Sequence, residues 1–90
     1  MRFEFDEDKA RSNVATHGVT FDEAETIFDD PLMAIAQDPF HSEVEARFIA
    51  IGESVAQRVL VVSFAERGDN IRIISARVCT AREGKAYEES

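Results

Sequence analysis

Six arginines, Arg47, Arg58, Arg67, Arg72, Arg77 and Arg82, all lie in the second half of this 90-residue chain. A guanidinium is a planar fork that grips phosphate oxygens in pairs and keeps its charge when partly desolvated, so a cluster of arginines suits an anionic ligand. His17 supplies the side chain whose ordinary pKa, about 6.5, lets it take and give a proton near neutrality. Glu66 offers a carboxylate base, Tyr87 a phenol, and Lys9, eight residues before His17, a further cation. Metal chemistry is not indicated, because Cys79 is the only cysteine and neither His17 nor His41 has a zinc-like spacing.

Each of these residues also has a plain structural use. In "IRIISAR", residues 71–77, a regular strand puts Ile71, Ile73, Ser75 and Arg77 on one face and Arg72, Ile74 and Ala76 on the other. Arg72 and Arg77 should then point to opposite sides. Arg77, at the strand end, is the better placed for a phosphate, with a structural ion pair as the alternative; Arg72 is expected to pair with Glu66 on the neighbouring strand. Arg47 and Arg67 flank strands, where solvated charges are common. His17 precedes a glycine, a position where an imidazole favours a helix C-terminus whatever the function. Lys9 is some 80° around the helix from His17 and only loosely co-facial with it. His41 sits in a turn, and Tyr87 serves equally as a helix anchor.

The elements that must position these groups follow from periodicity. "RFEF" alternates, placing Phe3 and Phe5 on one face of a short opening strand. "DEDKARSNVATHG" reads as a helix with Asp6, Glu7 and Asp8 at its positive end and Gly18 as its left-handed stop. "VTFDEAETIFDDP" opens with a capping box, Thr20-x-x-Glu23, carries the apolar stripe Phe21, Ala24, Ile27 and Phe28, and stops at Pro31. The period then becomes 2 through "LMAIAQD", "EARFIAIG", "QRVLVVSFAER" and "NIRIISAR", with Arg67-Gly68-Asp69-Asn70 as a tight hairpin connection. "TAREGKAYEES" returns to helical character, with Thr80 as N-cap. The result is one α+β domain, residues 1–90: a strand, two helices, a four-stranded antiparallel meander and a C-terminal helix. The phenylalanines Phe3, Phe5, Phe21, Phe28, Phe48 and Phe64 fall on apolar stripes and belong to the core.

The formal net charge is −8, which argues against general nucleic-acid affinity, but it is unevenly spread. Residues 1–46 hold 12 acids and 3 bases; residues 47–90 hold 6 and 7. The acidic half is either a solvated face or a docking surface for a basic partner. No apolar leader or span is evident in the sequence, so a cytoplasmic protein is expected.

Through "FEFDEDKARSNVATHGVTFDEAETIFDDP", "DPFHSEVEARFIAIG", "VVSFAERGDNIRIISAR" and the tail residues Thr80, Glu83 and Tyr87, the chain resembles the BrnT toxin family of bacterial type II toxin–antitoxin systems. The resemblance implies a RelE-like fold and a metal-independent, cofactor-free endoribonuclease that blocks translation. It also implies a hetero-oligomer with a BrnA-type ribbon-helix-helix antitoxin, through which the complex reaches operator DNA. Metal-free RNA cleavage needs a proton acceptor, a proton donor and cations around the phosphorane-like transition state. On this resemblance His17 and one of Glu66 or Tyr87 transfer protons, Arg77 with Arg47 or Arg67 stabilises charge, and Lys9 and Arg72 help hold the RNA. The chain departs from the family pattern at Val78, where members commonly carry lysine. The alternative is a weakly active or inactive binding module that serves with the antitoxin as an operon co-repressor.

Overall fold

The computed structural model describes residues 2–40 and 45–89; His41 lies outside them. Strand β1 (Arg2–Glu4) leads into helix α1 (Glu7–His17), and α2 (Phe21–Glu25) runs on into a 3-10 turn (Thr26–Asp29). Strands β2 (Ala34–Gln37), β3 (Arg47–Glu53), β4 (Val59–Arg67) and β5 (Asn70–Val78) follow, and α3 (Ala81–Glu89) ends the described chain.

Local chemistry sets the helix ends. The Asp6 carboxylate accepts from the N–H groups of Asp8 and Lys9 at 2.8 and 3.1 Å, satisfying two donors that the first turn leaves open. Gly18 closes α1 at φ 69°, a left-handed conformation that costs little without a Cβ. The expected capping box at Thr20 is only half made. Thr20 Oγ1 accepts from Glu23 N–H at 3.0 Å, but the Glu23 carboxylate turns away to accept from Arg58 Nε at 3.0 Å and Ser54 Oγ at 2.7 Å. A charged partner on another element outcompetes the local N–H. The reciprocal box forms instead at α3, where Glu83 N–H donates to Thr80 Oγ1 at 3.1 Å and Thr80 N–H donates to Glu83 Oε1 at 2.8 Å.

The four strands of the expected meander are present and antiparallel, but they are part of a larger sheet. Strand β1 adds to β5 in parallel, giving five strands in the mixed order β1-β5-β4-β3-β2. Pairing is the alternative to leaving β5's backbone groups open on that side. β1 covers only Asn70 to Arg72, and from there α1 takes over the flank. The buried Asn13 amide donates to Ala76 O at 2.8 Å and to Val19 O at 2.9 Å, and accepts from Ala76 N–H at 3.1 Å. One side chain thus does for Ala76 what a neighbouring strand would.

The core lies between the sheet and α1, α2 and the 3-10 turn. Leu60, Val62, Phe64, Ile71, Ile73 and Ala76 face Val19, Phe21, Ala24 and Ile27. Phe28 links Phe3 and Phe64, each with ring centroids 5.2 Å away, and Phe5 and Phe48 pack on Phe21 and Phe64. All six expected phenylalanines therefore join this layer, Phe21 and Phe64 fully buried, each contributing about 1.5–3 kcal/mol, and Phe3, Phe5, Phe28 and Phe48 partly buried. Gly52 lets the layers close: a Cβ there would sit 3.2 Å from Ile27 Cβ and 3.3 Å from Met33 Cγ.

A bulge changes which residues share the other face. Ser63 pairs with Ser75 but Phe64 pairs with Ile73, leaving Ile74 as the extra residue of β5. Buried positions accordingly shift from Ile71 and Ile73 to Ala76. Arg72, in register with Ala65, and Arg77, in register with Val61, consequently stand on one face, opposite the phenylalanine core. The expectation that they face opposite ways assumed a regular strand and is corrected.

Candidate nucleic-acid interface and active site

Register places four of the candidate arginines together. Arg47 of β3, Ala65 of β4, Arg72 of β5 and Glu4 of β1 form one row across the sheet, with Ala65 fully buried between the two arginines. The alternation of β4 puts Arg67 on the same side, two residues on, and Arg77 stands two rows away in the other direction. The face bears its own counter-ions. Arg72 lies 3.9 Å from a Glu4 oxygen, and Arg67 lies 4.0 Å from Glu4 and 3.6 Å from Glu45. Arg47 Nε is 4.0 Å from Glu45. At such distances the pairs of Arg67 and Arg72 are loose, solvent-screened and worth about 0–1 kcal/mol each, so a phosphate can replace them, whereas the Arg47 Nε atom is itself buried.

Arg77 is held differently. Its two terminal nitrogens donate to the two Glu83 oxygens at 2.7 and 2.9 Å, a fork-to-fork pair with 41% of the arginine side chain still exposed. Hydrogen bonding by Arg77, then by Thr80 N–H, brings the Glu83 carboxyl down from 4.5 to about 2, and the same contact raises Arg77. The geometry that suits phosphate is occupied by a carboxylate of α3, so a phosphate at Arg77 must displace Glu83.

His17 and Lys9 meet at the seam between α1 and β5. Lys9, Ser12, Asn13, Thr16 and His17 line an open hollow of about 290 Å³, closed on the sheet side by the bulged Ile74. Lys9 and His17, expected to be only loosely co-facial, thus line one hollow, and both are exposed. Arg72 approaches the N-terminal end of this seam. Asp6 is lowered chiefly by the Lys9 and Asp8 N–H bonds, with smaller contributions from the charges of Lys9 and Arg72.

Two expected participants stand elsewhere. Glu66 is in register with Ile71, on the side of the sheet away from the arginines, so the expected Glu66–Arg72 pair is replaced by Glu4–Arg72. Tyr87 is 8% exposed, and its hydroxyl donates to Asp30 Oδ2, which pushes the phenol up to about 12. It anchors α3. Arg58 is committed to Glu23 and also donates to Gly18 O at 3.3 Å, tying the α1–α2 corner to β4. No cluster of metal-ligating side chains occurs among the described residues.

Sequence reasoning missed Asn13, Glu4 and Glu45. A poor helix former in the middle of a helix was the available signal for Asn13. The two glutamates look like surface acids until the register of β1 brings Glu4, and the approach to β3 brings Glu45, to the arginines.

The family model described as "Ribonuclease toxin, BrnT, of type II toxin-antitoxin system" matches residues 5–83. The chain belongs to the BrnT family. Among solved structures, the ribonuclease toxin BrnT of Brucella abortus superposes with a TM-score of 0.66 at 26% identity, covering 89% of this chain and 97% of that one. No curated protein sequence matches. The BrnT match begins just after β1 and spans both N-terminal helices, the whole meander and the start of α3 including Glu83, so every element of the arginine face except β1 lies within it. No described helix is long and apolar enough to cross a membrane.

Proposed function

We propose that this BrnT-family chain cleaves RNA laid across the arginine face of its sheet, without a metal, and so blocks translation until a BrnA-type antitoxin binds it. The observation that carries the reading is the co-facial set Arg47, Arg67, Arg72 and Arg77. Arg47, Arg67 and Arg72 take the RNA backbone, with Lys9 helping to orient the scissile phosphate. His17 takes the proton of the attacking 2′-hydroxyl; the phosphorus–5′-oxygen bond breaks to leave a 2′,3′-cyclic phosphate, and the leaving oxygen is protonated from solvent. Arg77 stabilises the added negative charge once Glu83 yields it. Glu66 and Tyr87 are set aside as proton carriers, the first for its face, the second for its bond to Asp30. The RelE-like comparison, cytoplasmic action and operator contact through the antitoxin belong to the same reading.

The test is incubation of the purified chain with RNA in excess EDTA. Fragments ending in 2′,3′-cyclic phosphate support metal-independent cleavage, and intact RNA alongside correctly folded protein contradicts it. The occupied fork of Arg77 favours the second reading, a binding module acting as co-repressor, if RNA stays intact yet the antitoxin still binds.

A further inference from the structure

We propose that the outer edge of β2, with the apolar groove and acidic hollow beside it, is the docking site for a cationic, amphipathic segment of a protein partner, which adds to β2 as a sixth strand. Strand β2 ends the sheet order, and no strand pairs with its outer edge among the described residues. All four of its residues are exposed, Ile35 by 52%. Natural sheets usually blunt such an edge by keeping it short or with charges, proline or a bulge; β2 is four residues long, and "AIAQ" carries none of the other devices. Strand addition is a common way of using an open edge, with backbone hydrogen bonds giving affinity and alternate side chains giving specificity.

The flanking surfaces say what kind of segment fits. Between the sheet and α3 runs a cavity of about 340 Å³ lined by Ala34, Ala36, Ile49, Ile51, Val61 and Tyr87. Beyond it lies a hollow of about 420 Å³ whose wall includes Asp29, Asp30, Glu53 and the 78% exposed Val55. The two meet at the Tyr87–Asp30 hydrogen bond, since Tyr87 lines one and Asp30 the other. Glu83 also lines the groove, with its charge met by Arg77. An occupant must therefore offer apolar side chains to the groove and positive charge to its end. Charge complementarity selects a basic partner segment over RNA, which the acids repel, and over a second copy of this acidic chain.

The inference rests on the toxin reading in one respect only, that the partner is then the antitoxin. Its test uses the full chain and a short blocked peptide of alternating lysine and valine, with a second peptide in which glutamate replaces lysine. Amide shifts by nuclear magnetic resonance should centre on residues 34–37 and on Asp29 and Glu53. The lysine peptide should bind at least about tenfold more tightly than the glutamate peptide, and Ile35→Lys should weaken it by about tenfold. Asp29→Lys, an exposed change that leaves the sheet intact, should weaken it similarly. Equal binding of both peptides, shifts confined to the surroundings of Arg47, Arg67 and Arg72, or a wild-type dimer that Ile35→Lys dissociates each overturns the proposal. Cleavage of RNA is scored separately on the same variants and should be unchanged. If the wild type fails to cut RNA while the lysine peptide still docks on β2, the toxin reading fails and the docking site stands.

Discussion

Arg72 and Arg77, five residues apart on β5, stand on the same face of the sheet because Ile74 is bulged out between them. Deleting Ile74 should restore regular alternation and leave Arg72 and Arg77, then four residues apart, on the same face, because the pairs on either side of the bulge are unchanged. The deletion is expected to keep the Arg77–Glu83 contact and to cost about 1–3 kcal/mol, since the bulged side chain that packs at the α1 seam is lost. Urea unfolding with a structure of the variant measures both.

Asn13 should be among the least replaceable polar residues. Its amide serves Ala76 N–H, Ala76 O and Val19 O, and removal leaves these buried groups without that partner. Asn13→Ala is expected to cost about 2–4 kcal/mol in denaturant unfolding. Because Asn13 also holds α1 against β5, the seam containing His17 should loosen as well, visible as faster amide exchange at Ala76.

The pH dependence of α3 docking follows from Glu83. Its carboxyl is held at about 2 in the folded chain against an ordinary 4.5. A depressed carboxylate contributes stability that is complete above 4.5 and is lost as pH falls toward 2. Tyr87, the only tyrosine of the chain, reports the helix directly. Its fluorescence should change over this acid window in the wild type, and Glu83→Gln should remove much of that acid sensitivity.

Tyr87 gives the complementary alkaline test. Its phenol, held by Asp30, should ionise near 12 and not near 10, so stability is complete below 10 and declines above it as the phenolate forms. Ultraviolet absorbance of tyrosinate reads the titration. Tyr87→Phe is expected to lower stability by about 1 kcal/mol and to leave RNA cleavage intact, which separates an anchoring residue from a catalytic one.

Much of this architecture was legible in sequence because its signals are local. Gly18, the Gly68 hairpin and the phenylalanine stripes each read correctly, since one conformation or one period decides them. The parallel addition of β1 to β5 was not legible, because "RFEF" has no mark that names a partner sixty-odd residues away. The bulge at Ile74 left no composition signal either, and that one residue inverted the expected sidedness of Arg72 and Arg77. Glu23 and Glu83 show the same limit. Two similar Thr-x-x-Glu spacings behave differently because Arg58 captures the first carboxylate, whereas the second serves Thr80 and Arg77 together. For the site, the residue types were readable but their company was not: Glu66 looked adjacent to the arginines in sequence and faces away from them in the sheet.

The central claim is that the arginine face cuts RNA. The most direct measurement compares cleavage rates, in EDTA, of the wild type with those of Arg72→Ala, His17→Ala and Glu66→Gln, all verified as folded. The account predicts losses of about 10²-fold or more for Arg72→Ala and His17→Ala, and a rate unchanged for Glu66→Gln. Full activity in Arg72→Ala and His17→Ala, or collapse in Glu66→Gln, would place the chemistry on the other side of the sheet and contradict it.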